Sequence, residues 1–493
     1  MYQSILQFIE NDIKEVEKVM GMILTGEKDA DDLSHEVVTR LNTLACRWIS
    51  EMYEKLDETI RESLVRKQHW TIEQRNEPKE LLDIAGMLHF NRTGFADKRT
   101  GKYIYLLDMI LGLESHQRIT LGAAAKVLEE TILSSYAKGG KAASPTEVAS
   151  KQAVKELVHG TVIEYPNPES AEKKKLKNLH IVADEDHVAA QFWKKKGDLV
   201  ENSAGNKINT IISKVVVVYE DVINEFGEQS KNPRYRLVGK KTFSGVYKGE
   251  AENIKFWEQV RDYIEKNYDT EILERVYIAG DGGAWIKAGT QVIENSRFVL
   301  DKFHMMKYIN TSVTHLLDSA DDVKSEIWKS VNKADKKGLK DIYKRILEIT
   351  EPGNKYEEVE GALRYLLNQW DGIKIRVEEP GGCWKCCAEG QVSHVLSDRM
   401  SSRPMGWSEW GCHQMSQLRA YHWNGGKVID LLKYQKKKKR QEKHIQEQEE
   451  LIKELRKKQS GWNYAEQMQG IIPGLEQHSM RWLKDLVHQA LDA

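Results

Sequence analysis

The feature that most constrains this chain is a series of apolar segments between residues 179 and 300 whose periods switch from strand to helix and back. Residues 179–182 (LHIV), 207–219 (KINTIISKVVVVY) and 235–246 are strand-like, and 251–273 has helical spacing of its apolar residues. A strand at 276–279, a helix from about Trp285, a strand at 298–300 and a helix from His304 follow. An unbroken run such as VVVV is apolar on both faces of a strand, so the sheet needs cover on both sides.

Three strands, a helix, a strand, a helix and a strand is the order of an α/β RNase H-like core, here predicted to span 179–304 and 381–426. Residues 305–380 show helical patterning throughout and predict a helical insertion. The polar stretch 165–178, with two prolines and a lysine cluster, reads as a linker. Ahead of it, residues 1–118 predict a mainly α region with a short β-hairpin, built from 87–90, a turn containing Gly94 and Gly101, and 103–107. Residues 119–164 predict a helix-turn-helix: one helix ends near Gly139 and Gly140, and Ser144-Pro145 opens a second over 146–159. There Thr146, Ser150, Lys151 and Gln152 are the candidate readers of DNA. Two short helices joined by a turn are also ordinary packing. Residues 427–493 predict a charged helical tail, read as a solvated helix or a coiled coil.

A net charge of −1 over 493 residues leaves the nature of a partner to local charge. Lys173 to Lys177, the group Arg234, Arg236, Lys240 and Lys241, and Lys436 to Arg440 are basic clusters able to neutralise phosphates, or to serve as solvated surface. No apolar run approaches bilayer length, and the first residues carry acids where a signal peptide carries positive charge. The expectation is a cytoplasmic, nucleoid-associated protein with no membrane partner. Five cysteines do not make a disulfide framework in a chain of this length.

Phosphoryl transfer by two metal ions needs carboxylates converging on one point, because hard cations prefer oxygen ligands. In an RNase H-like fold these acids lie on the first strand, at the end of the fourth, and on a later helix. Asp184 follows the first apolar strand, with Glu185 and Asp186 as rivals in the same acidic triplet. Asp281 ends the strand YIAG among Gly280, Gly282 and Gly283, where a phosphate backbone could come close. Glu389 opens a segment that can be helical, with Arg399 and Arg403 as cations for the scissile phosphate. Glu378, Glu379 and Glu409 compete for the third place.

The strings ADEDHV, AGDGGAWI, LDKFHMMKYI and AEGQVSHVLSDRMSSRPMGWS resemble the bacterial insertion-sequence transposases of the ISLre type, distant relatives of the Mutator transposases. The resemblance runs from the hairpin near Met87 to about Gly426, and RMSSRPMGW is its most specific part. It implies an Asp-Asp-Glu triad of Asp184, Asp281 and Glu389 holding Mg2+ or Mn2+, and it matches Asp301 and His304 to an acid-x-x-His signature. It also implies double-stranded DNA as partner, both the element's terminal inverted repeats and the target, and a homodimer or larger assembly on it.

Cys383, Cys386 and Cys387 depart from that pattern. With His394, Cys412 and His413 they invite a zinc reading, which ranks below buried or incidental thiols because only one Cys-x-x-Cys pair exists. The rivals for function are a structure-selective nuclease of the same fold and a DNA-binding relative without catalysis. A serine or tyrosine recombinase lacks its arginine pattern here.

Overall fold

The computed structural model describes residues 2–164, 172–191, 200–201, 207–227, 234–379, 388–403 and 405–442. It is a mixed α/β protein with antiparallel and mixed sheets. Cys383, Cys386 and Cys387 lie outside the described residues, as does the tail beyond 442. No helix among the described residues is long and apolar enough to cross a membrane. The chain divides into two compact units, one of Met1–Gly160 with Val428–Ala493 and the other of Thr161–Lys427.

In the first unit a long helix, α1 (Ala30–Glu62), is capped by Asp29, whose carboxylate accepts from Asp31 and Asp32 N–H while Asp32 returns a bond to the Asp29 N–H. It packs on a three-stranded antiparallel sheet of β1 (Trp70–Leu82), β2 (Met87–Asp97) and β3 (Tyr103–Ile104). The hairpin is therefore larger than its sequence pattern, because β1 is mostly solvent-facing and polar, and its alternation is interrupted by register shifts between Ile72 and Glu77.

A short helix, Leu106–Leu111, follows, and then α2 (Leu121–Leu133), α3 (Tyr136–Lys141) and α4 (Lys151–Gly160). Helix α4 starts at Lys151, not at Thr146. The Ser144 hydroxyl accepts from Glu147 N–H at 2.9 Å and closes a turn, while Ser150 accepts from Ala153 N–H at 3.1 Å and caps the helix. The glycine pair lies within α3, where its lack of side chains matters: a Cβ on Gly140 would stand 2.2 Å from the Ala149 carbonyl, and one on Gly139 1.9 Å from the Thr131 hydroxyl. Val127, Ala143, Ala149 and Val154 form the small core beneath.

The second unit is built on a five-stranded sheet. Its members are β4 (Asn178–Ala189), β7 (Thr210–Tyr219), β10 (Lys241–Gly245), β11 (Arg275–Gly280) and β12 (Ser296–Leu300), in the spatial order β10-β7-β4-β11-β12. The short pairs β5 (Val200–Glu201) with β6 (Lys207–Ile208) and β8 (Asp221–Asn224) with β9 (Tyr235–Val238) lie outside it. β4 runs antiparallel to β7 and parallel to β11, which is parallel to β12. Leu179, Ile181 and Ala183 share a core with Phe256, Trp257 and Val260 of α5 (Gly249–Asn267). Strand alternation then leaves Val182 and Asp184 on the opposite face.

After β12 come five helices: α6 (Lys302–Val313), α7 (Ala320–Asn332), α8 (Lys336–Ile349), α9 (Asn354–Asn368) and α10 (Trp370–Glu378). Met305, Ile309, Ile327, Leu339, Tyr343 and Leu366 form their common core. The chain then returns to the sheet as α11 (Ala388–Val392), which packs on β4, and continues through a π-helical turn, Ser393–Ser397, to α12 (Glu409–Trp423), which packs on β7 and β10.

Candidate active site

The register of the parallel strands creates the site. Val182 pairs with Ala279, and Ala279 with Val299. Two residues further on, the same rows bring Asp184, in the middle of the long strand β4, level with Asp281 and Asp301, which follow the carboxyl ends of the neighbouring strands β11 and β12. Open α/β sheets bind ligands at that end, because the loops leaving the strands are free to hold polar groups there.

Asp184 is 6% exposed. Burial pushes its carboxyl up to about 6, and the Asp281 and Glu389 carboxylates push the same way, against the Glu185 N–H and the His304 imidazole. The Glu185 N–H donates to Asp184 Oδ1 at 2.8 Å. Asp281, Glu389 and His304, far apart in sequence, thus share one electrostatic neighbourhood with Asp184.

Asp301, 5% exposed, stands at the N-terminus of α6 with its Oδ2 3.3 Å from His304 Nδ1. That bond holds the imidazole above its ordinary range, helped by Asp184 and Asp281 and opposed by burial.

The turn carrying Asp281 is tightly specified. Gly283 N–H donates to Asp281 Oδ1 at 2.8 Å, and Gly282 has φ +88°, a conformation that side chains resist. Tyr365 Oη donates to the Asp281 carbonyl at 2.6 Å and Gln369 Nε2 to the Gly282 carbonyl at 3.5 Å. Sequence reasoning missed both, since a tyrosine and a glutamine inside a helical run carry no local signal. It also missed the other face of the acidic triplet. Glu185, half-buried, accepts from Trp285 Nε1 at 2.7 Å, and Lys214, buried nearby, lies 5.1 Å from the Trp285 ring.

Glu389 is exposed on α11. The extra residue of the π-helical turn follows directly, and such turns often mark functional positions. Arg419, wholly buried, donates from Nη2 to the His394 carbonyl at 2.6 Å and from Nε to the Val395 carbonyl, holding that turn to α12. Burial lowers its guanidinium to about 10.

The competing third acids are engaged elsewhere. Glu379 accepts from Tyr277 Oη at 3.0 Å, Glu378 pairs with Lys374 at 3.5 Å, and Glu409 with Lys248 at 2.5 Å. Among the described residues no three Asp, Glu, His or Cys side chains stand close enough together to grip an ion as placed. Cys412 is fully buried, its thiol pushed up to about 12 mainly by burial, and the Val246 N–H donates to His413 Nδ1 at 3.1 Å.

Arg399 requires a correction. Expected as a cation for phosphate, it is 2% exposed, with its guanidinium 5.0 Å from the Trp407 ring and Nη1 3.1 Å from Met405 Sδ. Its neighbours Met400 and Trp407 are buried with it. Arg403 is exposed. Ser150, Lys151 and Gln152 are exposed at the start of α4 in the first unit, with the Ser150 hydroxyl used in the cap and Gln152 Nε2 donating to Glu156 at 2.9 Å. Members of the basic clusters form ion pairs: Lys174 with Glu220, Arg234 and Arg236 both with Glu225, Lys439 with Glu114.

Comparison with known proteins places the chain among relatives in Caldanaerobacter subterraneus subsp. tengcongensis. The UPF0236 protein TTE2489 is 33% identical over 87% of this chain and 85% of its own length, and TTE0402 is 34% identical over 87% and 80%. A third, 34% identical over 87% and 85%, bears eleven locus designations, from TTE0033 to TTE2212. A solved structure, the Drosophila P element transposase strand transfer complex, aligns with 67% of this chain and 83% of that chain at 11% identity and a TM-score of 0.21. The family sequence model of UPF0236, an uncharacterised protein family, matches residues 27–440, and with these relatives it shows that the chain belongs to that family.

Proposed function

We propose that this protein is a DNA transposase of the three-carboxylate kind, cutting an element's ends and joining them to target DNA. The observation that carries the reading is the row of Asp184, within β4, and Asp281 and Asp301, just past the carboxyl ends of β11 and β12, with Glu389 near enough to raise the Asp184 carboxyl. The strand order β10-β7-β4-β11-β12, with the first three strands antiparallel and the rest parallel to β4, supports an RNase H-like core. The strings shared with ISLre-type transposases support the same assignment, and a relative with eleven locus designations in one genome fits a gene that multiplies by moving.

Asp184, Asp281 and Glu389 would hold Mg2+ or Mn2+. The donor set fits such ions: all its ligands are hard oxygens, and a dication relieves the burial and repulsion that raise the Asp184 carboxyl. When bound, two ions would stabilise the oxygens entering and leaving phosphorus in an in-line displacement. The chain's own groups position and neutralise. The aspartate row fixes where the phosphate lies, the Gly282 turn lets its backbone approach, and His304, biased toward its charged form by Asp301, places a cation beside the acids. In this reading the α2–α4 unit binds terminal repeats through Ser150, Lys151 and Gln152, and Arg403 meets the DNA backbone. The protein acts as a homodimer or larger assembly in the bacterial cytoplasm.

The test is to incubate the protein and an Asp281→Asn variant with Mg2+, a plasmid, and duplexes carrying the DNA that flanks its own gene. The expected result is joined product from the wild type and none from D281N, with binding to the ends retained. Nicks without joining would favour a nuclease, and binding without cleavage a catalytically silent relative.

A further inference from the structure

We infer that Tyr365 and Gln369 are positioning residues for Asp281, so that the helical insertion sets the turn on which this carboxylate stands. The inference rests on the three-carboxylate reading above. Its basis is the way the turn from Asp281 to Gly283 is held. The turn leaves the sheet at the end of β11, and the carbonyls of Asp281 and Gly282 both receive donors from the insertion: Tyr365 Oη at 2.6 Å and Gln369 Nε2 at 3.5 Å. The two side chains are four residues apart and therefore share one face of the helix at the end of α9.

Gly282 completes the fit. A Cβ there would stand 2.3 Å from the Gln369 carboxamide, so the place of a side chain on the turn is taken by a side chain from the insertion. The Tyr365 ring in turn stacks on Tyr308, with centroids 3.8 Å apart and planes 20° from parallel. Tyr308 lies one turn after His304 on α6, the helix that Asp301 opens. One helix face thus reaches both the Asp281 turn and the helix of the Asp301–His304 pair.

A tyrosine that only filled space here would be replaceable by phenylalanine without loss, which makes Tyr365→Phe the decisive variant. The measurement is Mn2+ binding to the full-length protein without DNA, followed by electron paramagnetic resonance, with thermal melting alongside. Partners that orient a metal ligand typically contribute about 10- to 100-fold in affinity. Y365F should weaken Mn2+ binding by roughly that factor at an unchanged melting temperature, since the stacked ring is kept. Unaltered Mn2+ affinity in Y365F overturns the inference. Should Y365F melt early, Gln369→Ala decides instead: weakened Mn2+ binding in a stably folded protein supports the positioning role, and wild-type affinity overturns it. D281N serves as the reference. If it too binds Mn2+ like the wild type, the three-carboxylate reading has failed; if it loses binding while Y365F does not, only the role of the insertion has.

Discussion

His304 shows how a single residue takes its state from neighbours that its sequence position does not reveal. Its ring lies 3.3 Å from Asp301 and within reach of Asp184 and Asp281, and these raise its pKa above the ordinary 6.5 against the cost of burial. A histidine whose folded pKa exceeds its unfolded value adds stability that is complete below about 6.5 and is lost as pH rises through the folded value. Asp301→Asn removes the largest contribution. In histidine-labelled NMR titrations His304 should then titrate at lower pH, and the decline of stability above neutrality should flatten; an unshifted titration would separate the pair. Of the candidate residues, Asp281 was readable from a strand followed by a glycine turn. Tyr365 and the burial of Arg399 were not, because each depends on partners that local pattern does not name: Asp281, 84 residues away, for the tyrosine, and the aromatic shell of its own folded-back segment for the arginine.

At the scale of elements, α3 and the start of α4 are joined by closeness more than by apolar area. Gly140 lies where any Cβ would meet the Ala149 carbonyl, a backbone atom that cannot swing aside. Gly140→Val should therefore push α3 off α4 and lower stability by about 1–3 kcal/mol, the usual cost of overpacking. Urea unfolding followed by circular dichroism would check it, and a variant as stable as the wild type would show that the helices have slack. The beginning of α4 was misplaced by five residues from sequence because Ser144-Pro145 and Ser150 are both good caps. Only the hydrogen bonds, Glu147 N–H to Ser144 and Ala153 N–H to Ser150, decide between a turn and a helix start. The π-helical turn after Glu389 was likewise invisible, since it differs from an α-helix by one residue, and the carbonyls of His394 and Val395 within it are met by Arg419 from another helix.

For the molecule as a whole, the division at Gly160 and at Lys427 predicts that residues 161–427 fold alone, since the sheet, its covering helices and the insertion all lie within that span. A fragment of those residues should melt cooperatively in circular dichroism; a fragment without a cooperative melt would make the unit dependent on the rest. The sequence by itself determined the succession of strands and helices and the place of Asp281 at the end of β11, because hydrophobic period and glycine turns act over a few residues; it ended β4 too early, before Asp184, which the structure places mid-strand. The tertiary structure alone decided that Asp184, Asp281 and Asp301 stand level, that Glu389 returns to them after the insertion, and that Tyr365 holds the Asp281 turn. Strand register and helix docking arise from contacts between segments tens of residues apart, which no local pattern encodes.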